Sequence, residues 1–169
     1  KDTLEIIRYL RVYNQKLIID LHTNGSARTS DFWVELAELN VIVFFGLDGL
    51  EDTHSLYRIN TNFNLIIKNA TTFIEHGGEA VWKFIKFDHN EHQTELCQQL
   101  ANRLGFENIE IWDHTRSTGA VYNKDGTLSR EIGNTGVCAT STQRITFLES
   151  NFSKKEHFKA DIKPIVCDA

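Results

Sequence analysis

Short apolar runs alternate with longer amphipathic stretches over the first 112 residues of the chain. Runs of about four to eight apolar residues are typical of buried strands, whereas apolar residues three and four positions apart indicate helices. The pattern predicts strands at 16–22, 41–46, 80–87 and 107–112. Because helical stretches separate these strands, we expect right-handed crossovers and a parallel sheet.

The helices are predicted from the spacing of apolar residues and from the residues at their ends. They are expected at 2–13, 32–39, about 61–76 and about 91–104. Ser30 and Asp31 are expected to cap the second helix, because short polar side chains accept hydrogen bonds from free backbone N–H groups. Gly77, Gly78 and Gly105 are expected to end the last two, since glycine readily adopts the left-handed conformation.

Beyond the fourth strand the periodicity is lost. Residues 114–163 are rich in Thr, Ser, Asn and Gly; only 144–148 resembles a strand, and 123–126 has the composition of a turn. Long connections without secondary structure are uncommon inside a compact domain. We therefore interpret residues 1–116 as the α/β domain and residues 117–169 as an irregular bridge toward a further module.

Composition narrows the class of protein. The 169 residues are 41% hydrophobic and 24% charged, as in an ordinary globular chain with one core. A net charge of −5 gives no basic face for nucleic acid, and no run approaches the roughly 20 apolar residues of a membrane span. The chain contains no methionine, and its first residue lies in a helical pattern, so we interpret it as a piece of a longer protein.

The three cysteines do not form a recognisable metal-binding motif. Cys97, Cys138 and Cys167 are 41 and 29 residues apart, which excludes a C-x2-C pair and a dense disulfide framework. Free thiols in a reducing cytoplasm are the simplest interpretation. Cys97 falls in a helical pattern among leucines and is expected in the core or at its flank.

Polar residues directly follow the first two strands. The first strand ends in HTNG at 22–25, and the second continues as FGLDGLEDTHSLYR at 45–58, whose part after Gly46 is interpreted as a polar loop. In parallel α/β folds, ligands bind at the carboxyl ends of the strands. We therefore expect a ligand site at this edge of the sheet.

Together with WKFIKFDHNEHQ at 82–93, these two segments resemble the third, fourth and fifth strand ends of radical S-adenosylmethionine enzymes, especially those with a cysteine-rich C-terminal auxiliary-cluster module. The resemblance implies a fragment of a partial (β/α)6 barrel, a parallel sheet with helices on one face, to which residues 1–116 supply strands three to six. The family's C-x3-C-x2-C loop and Gly-Gly-Glu motif are absent from this sequence.

The resemblance also implies an activity. In the family, S-adenosylmethionine on a [4Fe-4S] cluster is cleaved by one electron to a 5′-deoxyadenosyl radical, which abstracts hydrogen from a substrate. An unknown substrate, an electron donor such as flavodoxin or ferredoxin, and a cytoplasmic location belong to this expectation, with neither nucleic acid nor membrane as partner. The ligands of the main cluster are not in this chain, so the fragment alone is expected to be inactive.

Five residues at the strand ends match the family's cofactor-binding positions: Thr23, Asn24, Gly46, Asp48 and Arg58. Gly46 replaces a family serine whose hydroxyl bonds the ribose, which leaves a backbone N–H or Asp48 for that contact. The guanidinium of Arg58 suits the cofactor carboxylate. Its alternative role is an ion pair with Glu51 or Asp52. Asp48 alternatively stabilises a turn, and Thr23 and Asn24 alternatively end the strand.

Roles in substrate contact or cluster binding are expected for three further residues. Lys83 and His114 are expected to face the substrate, although Lys83 could instead extend outward to solvent. The segment 163–167, with a proline and apolar residues before Cys167, resembles the start of the cysteine-rich module. Cys167 is therefore expected to bind an auxiliary cluster, with a lone thiol as the alternative.

Two other classes of function remain open. Histidine and aspartate side chains near the strand ends could bind zinc in a metal-dependent hydrolase on a βα barrel: Asp20, His22, His54, His89 and His92. The chain could also be a noncatalytic binding domain or an inactive remnant.

Overall fold

A four-stranded parallel sheet forms the centre of the fold. The structure, a computed structural model, describes residues 3–113, 119–122 and 126–132. Strands β1 (Asp20–Thr23), β2 (Ile42–Gly46), β3 (Glu79–Lys86) and β4 (Asn108–Asp113) pair in the order β1-β2-β3-β4. Every neighbouring pair is parallel. This confirms the predicted α/β fold.

Helices precede and connect the strands. They are α1 (Thr3–Tyr13), α2 (Ser30–Ala37), α3 (Glu51–Tyr57), α4 (Phe63–Glu75) and α5 (Thr94–Leu104), and a 3-10 turn at Glu91–Gln93 leads into α5. The sequence predicts all of these except α3, which lies in the stretch interpreted as a polar loop. That interpretation is wrong for α3. Its two buried side chains, Thr53 and His54, are polar, so no apolar period marks the helix.

The predicted helix ends are partly correct. Gly77 and Gly105 have φ angles of 85° and 84° and follow α4 and α5, as expected. The predicted cap of α2 is wrong. Thr29 occupies the N-cap position without a side-chain capping bond, and Ser30 and Asp31 are already helical. Asp31 still stabilises the first turn, because its charge favours the positive end of the helix dipole.

The helices cover one face of the sheet, and the hydrophobic core lies between the helices and this face. Phe45 of β2 and Trp82 of β3 are fully buried there. The ring of Phe45 lies 5.2 Å from that of Trp33 in α2 and 6.3 Å from that of Phe73 in α4. Cys97 of α5 is buried in the same core, as expected, and burial raises the pKa of its thiol to about 12.

The other face of the sheet, called the inner face below, carries the alternate residues of each strand. On this face, His22 of β1 is in register with Phe44 of β2, and Lys83 of β3 is in register with Glu110 of β4. Trp112 lies on the same face, two positions further along β4. Gly46 lies beside Lys83. In a βα barrel this face lines the interior.

A separate antiparallel hairpin follows the parallel sheet. Strands β5 (Gly119–Tyr122) and β6 (Leu128–Ile132) pair on either side of 123–126, the stretch predicted as a turn. These residues were expected to be irregular, because neither strand has a continuous apolar run like the one at 41–45 that marks β2. The remainder of the predicted bridge, including 144–148, lies outside the described residues.

Candidate functional site

A buried carboxylate organises the loop that follows β2. Asp48 is fully buried, and its Oδ2 accepts a hydrogen bond from Nε of Arg58 at 2.6 Å. Its Oδ1 accepts from the N–H of Ile85 in β3, also at 2.6 Å. Burial raises the pKa of Asp48, while the charge of Arg58 and the Ile85 amide oppose that shift. Both carboxylate oxygens are therefore engaged by the protein.

Arg58 is paired with Asp48 and not with the acids proposed as its alternative partners. Glu51 accepts from Nδ2 of Asn64 at 2.6 Å, and Asp52 accepts from Nε2 of Gln93 at 2.9 Å. The physical reason is position along α3. Glu51 and Asp52 lie in the first turn of the helix, whereas Arg58 is its C-cap.

Gly46 leaves room for the guanidinium of Arg58 at the tip of β2. A Cβ atom at Gly46 would lie 2.8 Å from Nη2 and 3.0 Å from Cζ of Arg58. Within the described residues, Nη1 and Nη2 donate no hydrogen bond. The Asp48 carboxylate thus fixes Nε, and the terminal nitrogens remain available beside the strand end.

His54 is held in one tautomer. The hydroxyl of Thr61 donates to the carbonyl of Arg58 at 2.6 Å, so it accepts from Nε2–H of His54 at 2.9 Å. Nδ1 of His54 can then accept from the backbone N–H of Asp48 at 3.2 Å. Burial lowers the pKa of His54 to about 4, and the nearby Arg58 charge adds to this shift. The neutral imidazole therefore supports the loop.

Two buried amides join the loops that follow β2 and β3. Asn90 donates from Nδ2 to the carbonyls of Ile85 and Asp48 at 3.0 and 3.3 Å. Gln93 accepts at Oε1 from the N–H of Leu50 at 2.9 Å and from the hydroxyl of Thr53 at 2.5 Å. With the exception of the bond between Asn90 and Ile85, each of these contacts joins residues 40 or more positions apart in the sequence. The sequence therefore gives no signal for them.

The side chains of Thr23 and Asn24 bond to the backbone of the loop that follows β1. Oγ1 of Thr23 accepts from the N–H of Gly25 at 3.0 Å, and Oδ1 of Asn24 accepts from the N–H of Ser26 at 3.2 Å. Thr23 is in register with Phe45 and therefore lies on the helix-covered face. Asn24 is exposed at the end of the strand.

Lys83 lies on the inner face of the sheet, on the side predicted to face the substrate. Its Nζ is 4.8 Å from the centroid of the Trp112 ring. Nε1 of Trp112 donates to Oε2 of Glu110 at 3.1 Å. The other predicted substrate-facing residue, His114, and the predicted cluster ligand, Cys167, lie outside the described residues.

The candidate zinc ligands do not converge. Within the described ranges, no group of three or more His, Cys, Asp or Glu side chains could hold a metal ion. His22 stacks on Phe44 and His89 stacks on Phe87, whereas His54 is buried in the loop network. In this part of the chain the only cysteine is Cys97, so these residues do not fit the [4Fe-4S] cluster implied by the resemblance.

No helix among the described residues has the length and apolar character needed to cross a membrane.

Comparison with known proteins identifies the fold. No protein-family model matches the chain, and no curated protein matches it. Several solved structures do match, among them native anSMEcpe with bound AdoMet, at a TM-score of 0.55 and 17% identity. SuiB of Streptococcus suis bound to S-adenosylmethionine matches at a TM-score of 0.57 and 12% identity. Both are radical S-adenosylmethionine enzymes. The chain has their fold.

The match covers only part of those proteins. For anSMEcpe it covers 72% of this chain and 34% of that chain, and for SuiB 89% and 34%. An anSMEcpe structure with AdoMet and the Cp18Cys peptide matches at a TM-score of 0.55 and 16% identity, over 89% of this chain and 40% of that one. This chain thus spans between a third and two fifths of their length.

Proposed function

We propose that this chain is part of a radical S-adenosylmethionine iron-sulfur enzyme and that the ends of β2 and β3 bind the cofactor. The observation that carries this proposal is Arg58. Its guanidinium is fixed through Nε by a buried carboxylate, and its terminal nitrogens are unused within the described residues. This arrangement stands at the strand ends of a fold shared with structures that contain AdoMet.

When held on a reduced [4Fe-4S] cluster, S-adenosylmethionine supplies the 5′-deoxyadenosyl radical that abstracts hydrogen from the substrate. The residues of this chain bind and orient. Arg58 binds the cofactor carboxylate through its two terminal nitrogens, a geometry that a planar guanidinium favours. Asp48 and His54 keep the guanidinium in place without contacting the cofactor, since their polar atoms bond to the loop.

Few hydrogen-bonding groups remain at this tip for the ribose of the cofactor. Gly46 has no hydroxyl, the Asp48 carboxylate is engaged, and the N–H of Leu47 donates to the carbonyl of Lys83 at 3.0 Å. The cofactor is therefore held here mainly through Arg58. An electron donor such as flavodoxin or ferredoxin would reduce the cluster, whose main ligands are not in this chain. The peptide held by one matched anSMEcpe structure supports peptides as the first substrate class to test.

The substitution Gly46→Ala tests the cofactor site with little effect on the fold. The added methyl group would displace only the end of the Arg58 side chain, which it would approach to 2.8 Å. We expect the affinity of the 169-residue chain for S-adenosylmethionine to fall about tenfold, as for loss of one charged hydrogen bond. Isothermal titration calorimetry measures the affinity, and a thermal midpoint close to that of the unaltered chain shows that the bond between Arg58 and Asp48 is kept.

The matched control is Ser55→Ala, an exposed position on α3, which should bind like the unaltered chain. Equal affinities of the Gly46→Ala and unaltered chains would contradict the role of Arg58. Absence of any binding by the unaltered chain would contradict the proposed function itself.

A further inference from the structure

Two lysines of β3 each lie opposite an acid of β4, but only one of these lysines forms an ion pair with its opposite acid. Lys86 is in register with Asp113, and Nζ lies 2.6 Å from Oδ1. Lys83 is likewise in register with Glu110, yet no ion pair joins them. Opposed residues in a sheet are close enough for their side chains to interact. The difference therefore requires a cause.

That cause is Trp112. Residues two apart on a strand share a face, so Trp112 and Glu110 are neighbours on the inner face. The indole N–H donates to Oε2 of Glu110, and the ammonium of Lys83 lies over the indole ring. Glu110 is thus turned toward the edge of the indole ring. The ammonium of Lys83 is held over the face of the same ring by a cation–π interaction, which tryptophan makes best.

Lys83 therefore forms no ion pair with a described acid, and its charge acts at longer range on the buried carboxyl of Asp48, where it opposes the rise in pKa. The side chain is half-buried, and no carboxylate of the described residues lies within ion-pair distance of its Nζ. Burying a charge without a partner is unfavourable. Beside it, across Gly46, lies the guanidinium of Arg58. The inner face thus carries two neighbouring cations at the carboxyl ends of β2 and β3.

We propose that Lys83 binds a carboxylate of the substrate on the inner face, with the ring of Trp112 forming one wall of this subsite. This inference rests on the proposed function, in which Arg58 binds the cofactor and the substrate lies beside it. A group with a single negative charge suits the subsite. A second negative charge on the same group, as in phosphate, would be repelled by Glu110, which lies directly opposite Lys83 in the sheet. The two carboxylates of a dicarboxylate are separate groups, so one of them can bind at Lys83 while the other lies away from Glu110.

Succinate is a suitable probe, and fluorine NMR of the chain labelled with 5-fluorotryptophan is a suitable measurement. The three resonances belong to Trp33, Trp82 and Trp112, and Trp112→Phe assigns the third. We expect succinate to cause a saturable shift of the Trp112 resonance, while the fully buried Trp82 does not respond. Lys83→Gln should weaken succinate binding about tenfold or more, because a charged hydrogen bond is lost.

Lys83→Arg should restore much of the affinity, because it restores the positive charge. Lys86→Gln is the matched control: it removes the neighbouring lysine that is already paired, and it should leave the succinate response unchanged.

Several outcomes would overturn the inference. These are a shift that does not saturate, an unchanged succinate affinity of Lys83→Gln, and tighter binding of inorganic phosphate than of succinate. Loss of S-adenosylmethionine binding in Lys83→Gln would also overturn it, since Lys83 would then belong to the cofactor site. An intact succinate response in a chain that does not bind S-adenosylmethionine would count against the proposed function alone.

Discussion

Asp48 shows how one residue can connect two strand ends. Its carboxylate joins the C-cap of α3 to the backbone of β3, and its own N–H and carbonyl bond to His54 and Asn90. A carboxylate without these partners would be too poorly solvated to remain charged at this depth. The loop and the charge therefore stabilise each other, and Arg58 is oriented as a result.

His54 makes the stability of this loop depend on pH. The pKa of His54 is lowered from 6.5 to about 4 in the folded chain, so between these values the unfolded chain binds the additional proton. The free energy of unfolding is therefore highest above pH 6.5 and falls as the pH drops toward 4. The loss approaches about 3 kcal/mol over this window. Urea unfolding at a series of pH values measures it.

The control separates His54 from the acids that titrate in the same range. The raised pKa of Asp48 acts in the opposite direction, since protonation of that buried acid favours the folded chain at low pH. We expect His54→Gln to remove the decrease below pH 6.5, although it also lowers stability at neutral pH. His92→Gln, at an exposed position, should retain the decrease.

At the scale of the elements, β1 is an edge strand of the described sheet. It pairs with β2 on one side only, and Leu17 and Ile18, just before it, are 38% and 58% exposed. Unpaired backbone groups at a sheet edge, next to apolar side chains, promote association with other chains. We therefore expect the isolated chain to associate at high concentration.

Ile18→Lys should reduce this association, because a lysine at an edge opposes pairing with another strand. We expect the fraction of oligomers in sedimentation velocity to fall, with little change in the thermal midpoint, since the side chain is exposed. Ile59→Lys adds the same charge at a position that is 48% exposed but far along the chain from β1. An equal effect of both substitutions would assign the association to general surface apolarity instead of the edge.

At the scale of the whole molecule, the cysteine content limits what the chain can do alone. A [4Fe-4S] cluster generally requires four thiolates, or three when the cofactor completes the set. The three cysteines of the full sequence lack the spacing of such a set. We therefore expect reconstitution of the 169 residues with iron and sulfide to give no stoichiometric cluster and no 5′-deoxyadenosine. Iron analysis and product chromatography measure both, and a positive result in either would contradict this prediction.

Much of the fold could be predicted from the sequence. Strands that are buried on both faces in a parallel sheet are continuous apolar runs, whatever their neighbours are. Glycines end helices through their local conformation alone. For these reasons β2, β3, α4 and α5 were recognisable from short windows of residues. The resemblance of the strand ends gave the fold that the solved structures share.

The tertiary structure decided the rest. The short helix α3 depends on buried polar contacts to residues far away in the sequence, such as that between Thr53 and Gln93. The partner of Arg58 and the unpaired state of Lys83 within the described residues likewise depend on which side chains meet across strands. Residue type and spacing determine which groups are available. Only the distances between elements determine which of them are paired and which remain available for a ligand.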